Sequence, residues 1–349
     1  MNKVLKNTIL GVVAIVFSGS VYLYLNDFRP LVYRATENSV ARMVASGEKD
    51  DDKFQLLFCG TGSPNRTLDR GQPCTALIAN GKLFLFDAGE GAIGKLSEYG
   101  APLGQLQGVF LTHLHSDHVS GVAEVLHNTW LYGRDHGVEI IGPPGTEAMI
   151  KNFENAYSED LHERIRVLGA ENLNNETVFQ AARDVAIEGT SATVVYNNEG
   201  LTIRAFLVDH PDWPNAYGYR IEHRNKVIVI SGDTRPSGGI ARYAENADIL
   251  IHEALNTEIF EYIGKQMKLQ GGPMSEGRIK LISSVHTSTL DLAEMASKAG
   301  VRNLIITHLI PAIPANWAAD NFFTSGMHDI YNGNIIVARD GLYIEVSEL

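Results

Sequence analysis

Cysteine is nearly absent: Cys59 and Cys74 are the only two in 349 residues. So few exclude a disulfide scaffold and a Cys-rich zinc site. They flank one loop at the edges of two expected strands. They form either a single bridge, if the compartment is oxidising, or two unpaired small core residues. Basic charge is also scarce, with 29 Lys and Arg against 41 Asp and Glu and a formal net charge of −12. That balance argues against non-specific nucleic-acid binding, which depends on neutralising phosphates with Lys and Arg. It leaves room for a small anionic substrate, because divalent cations dominate the field around them. No short-period repeat is visible, although the two halves read as related strand-rich units. What remains is ordinary globular composition, 44% hydrophobic and 20% charged, in a chain long enough to bury a large core.

The first residues are informative. Lys3 and Lys6 precede an uncharged run over 8–25, and the basic flank should stay in the cytoplasm while the chain after Asn26 crosses the membrane. Ser18-Gly19-Ser20 suits a signal peptidase, whereas the apolar continuation to Leu25 suits a retained anchor. Both readings place the catalytic part outside the cytoplasm, periplasmic or secreted. Residues 1–26 are expected to be a signal peptide or membrane anchor, 27–53 a linker ending in a solvated charge run, and 54–349 the folded domain.

Within that domain apolar runs predict strands at 54–58, 75–79, 83–86, 108–112, 138–141, 192–196, 201–208, 216–222, 227–231, 249–252, 303–307, 334–338 and 342–346. Helical patterns fall at 92–99, 119–132, 147–165 and 289–299. The alternation implies an α/β sandwich with sheets inside and helices on both outer faces.

The chemistry concentrates in Thr112 to His118, T-H-L-H-S-D-H, at the end of an expected strand. His113 and His115 are two apart and share one side of an extended chain. Asp117 and His118 fall where a helical pattern begins and serve a second point in space. The arrangement suits two metal ions side by side, His being the commonest ligand for zinc-type metals. His210, Asp233 and His308 each stand where a later strand runs out, which is where α/β folds collect their sites. These seven residues suffice for two ions with a carboxylate between them.

The H-x-H-x-D-H run, the later His, the G-D-T aspartate and the terminal T-H resemble the metallo-β-lactamase superfamily over about 54–346. Cys59-Gly60-Thr61-Gly62-Ser63-Pro64, Phe86-Asp87-Ala88-Gly89-Glu90-Gly91, Ser231-Gly232-Asp233-Thr234-Arg235-Pro236, Ile251-His252-Glu253-Ala254 and His286-Thr287-Ser288-Thr289 narrow the resemblance to the ribonuclease Z branch, which includes zinc-dependent arylsulfatases. The resemblance implies a four-layer αβ/βα sandwich holding two zinc ions, with manganese or iron as substitutes. His113, His115 and His210 would hold the first ion, Asp117, His118 and His308 the second, and Asp233 would bridge. Asp117 would orient a metal-bound hydroxide, and Glu253 with His286 would protonate the leaving oxygen. Asp87 is expected to hold the ligand loop rather than bind metal.

The long arm with which ribonuclease Z enzymes grip tRNA is missing from the expected place, where only His223-Arg224-Asn225-Lys226 separate two strands. With the acidic charge and the expected export, this argues against RNA and for a small anionic ester. Runs at 129–134 and 156–161 look like the arylsulfatase-like members. Trp130, Trp213 and Trp317 are candidates to wall an apolar pocket, His252 is expected to be a satisfied buried histidine, and His127, His136, His162, His223 and His328 match no motif. The expected protein is therefore an exported binuclear zinc hydrolase of sulfate or phosphate esters, arylsulfatase-like, with a homodimer and a membrane contact through the N-terminal segment both open. A ribonuclease Z-like phosphodiesterase is the alternative and a lactonase a weaker one. A diiron redox protein would carry Glu in place of His115 and a flavin domain, and a scaffold protein would have lost ligands.

Overall fold

In β1 (Phe54–Gly60) alternation sends Phe54, Leu56 and Phe58 to one face and Leu57 and Cys59 to the other, and both sets are buried. A strand buried on both sides must be covered twice. The computed structural model, which describes residues 33–34, 53–65, 67–179, 182–211 and 213–349, shows how. The expected signal or anchor segment and nearly all of the linker lie outside the described residues. Among the described residues no helix is long and apolar enough to cross a membrane.

The first sheet adds β2 (Cys74–Ala79), β3 (Lys82–Phe86), β4 (Leu106–Phe110), β5 (Glu139–Gly142), β6 (Ala182–Asp184) and β14 (Tyr343–Glu345), in the order β14-β1-β2-β3-β4-β5-β6. The second comprises β7 (Thr193–Asn198), β8 (Leu201–Leu207), β9 (Tyr217–His223), β10 (Lys226–Ile230), β11 (Ile249–Leu255), β12 (Asn303–Ile310) and β13 (Asn334–Val337), in the order β13-β12-β11-β10-β9-β8-β7. In the first sheet pairing is antiparallel from β14 to β3 and parallel from β3 to β6, and in the second it is parallel from β13 to β10 and antiparallel from β10 to β7. The inner faces meet in one core that mixes Phe84, Phe86 and Phe110 with Ile203, Tyr219 and Ile305.

The outer face of the first sheet is covered by α1 (Ala92–Glu98), α2 (Ser116–Val119), α3 (Val122–Leu131) and α4 (Thr146–Leu168). That of the second is covered by α5 (Gly238–Tyr243), α8 (Thr289–Lys298) and α9 (Trp317–Phe323). The layers are therefore helix, sheet, sheet, helix. Tyr219 Oη donates to Leu111 O at 2.6 Å and Tyr217 N to Thr112 O at 2.8 Å, fastening the sheets together beside the histidine motif.

Cys59 and Cys74 are bonded across β1 and β2, which settles that alternative in favour of the bridge. Closing a loop of 15 residues restricts the unfolded chain by about 3 kcal/mol on the loop-entropy account. The turn between β9 and β10 is two residues, Arg224 and Asn225, both with positive φ, so no arm leaves the sheet there. Sequence patterns do not reveal α6 (Thr257–Leu269) and α7 (Glu276–Val285), a helical hairpin between β11 and α8 with a small core of Leu255, Phe260, Ile279 and Ile310. Its start signals are present: the Asn256 and Ser275 side chains accept from the N–H groups of Ile259 and Arg278.

Candidate active site

Asp87 follows β3 with φ of 58°, a left-handed conformation uncommon for a residue other than glycine. That turn aims its carboxylate at the histidine loop. Oδ1 accepts from Thr112 N and Oδ2 from Thr112 Oγ1, both at 2.8 Å, and Oδ2 lies 2.7 Å from His118 Nδ1. One buried carboxylate thus fixes the loop and turns His118 Nε2 inward, the orienting role expected for Asp87. The one-turn helix α2 carries Asp117 and His118 and rests directly on loop 87–91. A Cβ on Gly89 would lie 2.3 Å from Asp117 O, and one on Gly121 would lie 2.2 Å from Gly89 O. Only glycine permits this approach. Asp87→Ala is expected to weaken metal affinity about 10–100-fold, as loss of an orienting partner does, and metal titration followed by calorimetry measures it.

His308 reaches the site by a different device. In the β11–β12 ladder Glu253 faces Thr307 and Ala254 faces Leu309, so His308 is the extra residue of a bulge, with φ of 42°. The bulge re-aims its side chain away from the strand's alternation.

All seven predicted ligands converge. His113, His115 and His210 form one group whose ligand atoms lie within 4.8 Å of one another; Asp117, His118 and His308 form a second; and His113, His118 and Asp233 form a third that links them. Asp233 Oδ1 lies 3.4 Å from His118 Nε2 and 3.3 Å from His308 Nε2, and its Oδ2 lies 4.0 Å from His113 Nε2. Asp117 Oδ2, His118 Nε2, His210 Nε2, Asp233 Oδ1 and both His308 ring nitrogens are buried without a hydrogen-bond partner. Orphaned donors and acceptors are costly in a protein interior, and those that face the cluster, His308 through its Nε2, fit a pair of divalent cations.

The electrostatics divide the cluster. Burial, with His118 adding to it, drives His113 well below the usual imidazole range, and burial likewise lowers His115. Burial also opposes charge on His118 and His308, but the Asp233 carboxylate overrides it and raises both. Burial would raise Asp233, yet His308 and His118 hold it well below the usual carboxylate range.

Beside the cluster His286 Nδ1 lies 3.0 Å from Glu253 Oε1. Burial would lower His286, but the Glu253 carboxylate raises it to about 9. Glu253 also accepts from Thr234 N at 3.2 Å and Thr287 N at 3.1 Å, so it pins two site loops as well as pairing with His286. A strap missed in the sequence joins the loops of His210 and Asp233: Arg235 Nε donates to Asp209 Oδ2 at 2.9 Å. Its only sequence signal is adjacency to ligands.

Of the three tryptophans only Trp213 meets the cluster, its ring centroid 5.3 Å from that of His115 and 6.2 Å from that of His113. Trp130 is buried in a separate cluster with Leu161, Leu173 and Val178, its indole N–H on Asn174 O. Trp317 is exposed at the start of α9. The helix residues around Trp130 draw it into packing, so neither Trp130 nor Trp317 walls the site. His252 is fully buried, with Nδ1 2.6 Å from Glu253 O. His127 packs between Trp130 and Tyr157, 2.7 Å from Asp160.

Residues 82–309 match the Beta-lactamase superfamily domain. The chain belongs to the metallo-β-lactamase superfamily. Within it the chain falls on the ribonuclease Z branch. It is 32% identical over 263 residues to ribonuclease Z of Mycolicibacterium gilvum (strain PYR-GCK), covering 74% of this chain and 85% of that one. It is 31% identical over 263 residues to ribonuclease Z of Mycobacterium bovis (strain BCG / Pasteur 1173P2), covering 74% and 87%. Human tRNase Z, short form, shares the fold at TM-score 0.57 and 20% identity, over 84% of this chain and 99% of that one. The metallo-β-lactamase-fold protein YhfI of Bacillus subtilis does so at TM-score 0.58 and 19% identity, with the same coverage. As a metallo-β-lactamase-fold hydrolase with ribonuclease Z relatives, the chain corrects the expectation that RNA is disfavoured. Net charge and one short turn were the wrong quantities to weigh. Phosphate recognition at such a site is local, and a metal pair outweighs charges spread over the surface.

Proposed function

We propose that this chain is a ribonuclease Z-like phosphodiesterase that hydrolyses RNA with two zinc ions. The observation that carries the reading is the Glu253–His286 pair standing beside a seven-ligand cluster, in a chain whose curated relatives are ribonucleases Z along 85% or more of their length. His113, His115 and His210 would hold one ion, Asp117, His118 and His308 the other, with Asp233 shared. Bound there, the metals would supply an activated water and a clamp on the scissile phosphate oxygens. The residues do the rest. Asp117 orients the attacking water, and His286, kept protonated by Glu253, gives its proton to the departing ribose oxygen.

The cavity lined by Asp87, His118, Asp233, Glu253 and His308 has about 30 Å³, room for water or ions but not for a ring, so substrate meets the cluster from outside. We place the protein outside the cytoplasm; the Cys59–Cys74 bond supports that location, since disulfides persist in oxidising compartments. The test compares initial rates of the zinc-loaded full chain on an RNA hairpin with a single-stranded 3′ extension and on an aryl sulfate. Efficient RNA cleavage with little sulfatase activity is expected, and the reverse preference would overturn the reading.

A further inference from the structure

Trp213 is not among the ligands, the dyad or the residues that orient them, yet it stands at the edge of the cluster. Its loop is rigid. Pro211 and Pro214 restrict the backbone around it, its N–H donates to His210 O at 2.8 Å, and its carbonyl accepts from Ala216 N at 3.1 Å. His210 is itself anchored, its Nδ1 donating to Val285 O at 3.3 Å. The backbone of Trp213 is therefore tied to that of a predicted metal ligand. The side chain is half-buried, packed against the outer core of the second sheet on one side. Its plane is inclined 73° to that of His115 and 65° to that of His113, so neither imidazole is stacked on it. His115 beside it is half-buried too. A partly exposed aromatic side chain thus lies beside the site where a phosphodiester would be held.

We propose that Trp213 is the platform on which a nucleobase next to the scissile phosphate stacks, so that the site takes a base-bearing single strand rather than an alkyl or sugar diester. The proposal rests on the ribonuclease Z-like reading. Every base has a π-face, so stacking is tolerant of sequence, and loss of one such contact typically costs a factor of about 10–100 in affinity. The polar contacts that fix a phosphate do not sense whether a base is present; a stack on Trp213 would.

The experiment crosses two changes in the zinc-loaded full chain. One is Trp213→Ala, with Trp213→Phe as the conservative variant. The other is a short RNA whose nucleotide beside the scissile bond is intact or abasic. Trp213→Ala should lower kcat/KM about 10–100-fold on the intact strand and little on the abasic one, and Trp213→Phe should restore most of the activity. Equal losses on both strands would show that Trp213 merely supports the ligand loop and would overturn the proposal. So would no loss on either. Binding keeps the question separate from the activity. Calorimetry with adenosine 5′-monophosphate and with ribose 5-phosphate should show Trp213→Ala weakening only the first. If the wild type cleaves no RNA but the nucleotide still binds through Trp213, the ribonuclease reading fails and the platform stands. If Trp213→Ala binds both probes like the wild type, the platform fails whatever the enzyme cleaves.

Discussion

Asp233→Ala should abolish turnover, with a loss of at least about 10³-fold in kcat, and should leave at most one metal ion per chain. Asp233 is the only ligand candidate whose carboxylate faces both halves of the cluster, with Oδ1 toward His118 and His308 and Oδ2 toward His113. Removing it takes an anionic partner from both halves at once and leaves the raised imidazoles of His118 and His308 without their main counter-charge. Elemental analysis of the purified variant gives the metal count, and circular dichroism shows whether the fold persists. Two ions retained at near wild-type activity would refute the bridging role.

His286→Ala should behave differently. The rate on RNA should fall about 10²–10⁴-fold, the usual size of a general-acid contribution, while both metals stay bound. The leaving group sorts this from a structural effect. A ribose oxygen needs a proton as it departs, whereas a nitrophenolate does not, so the loss should shrink sharply on an activated aryl diester. His286 lies against His210 and His308, with ring centroids 5.7 and 5.9 Å away, so disturbance of the ligands is the competing explanation. Metal loss in the variant, or an equal rate loss on both substrates, would count against the acid role. Glu253→Gln is a weaker instrument because Glu253 also accepts from Thr234 and Thr287.

What the sequence made legible follows from locality. His113, His115, Asp117 and His118 sit within six positions, and strand periodicity assigns them to one edge of a sheet. His210, Asp233 and His308 are readable because each ends an apolar strand. The devices that aim them are not readable in this way. Nothing in Ile306-Thr307-His308-Leu309 announces a bulge, which arises from pairing with Glu253 and Ala254 across the sheet. Nothing near Asp87 announces a left-handed turn. Trp130, like Trp213 a tryptophan near the ligand motifs in sequence, differs from it in tertiary surroundings. The α6–α7 hairpin packs on a small core of its own and leaves Tyr262, Leu269 and Leu281 exposed, so no continuous apolar run marks it. The RNA question went astray for a related reason: summed charge averages over a surface whose chemistry is local.

That hairpin leaves β11 two residues after Glu253 and returns at His286, and Leu255 N bonds to Thr287 O at 2.8 Å across its base. The proposed acid and its partner are therefore clamped at the root, upstream of anything the hairpin does at its tip. Lengthening a closed loop costs little, about 0.6 kcal/mol per doubling. The segment between them can be extended, trimmed or exchanged over evolutionary time without moving His286. Diversity of substrate among relatives built this way should accumulate in the hairpin, while the chemistry beneath it stays the same.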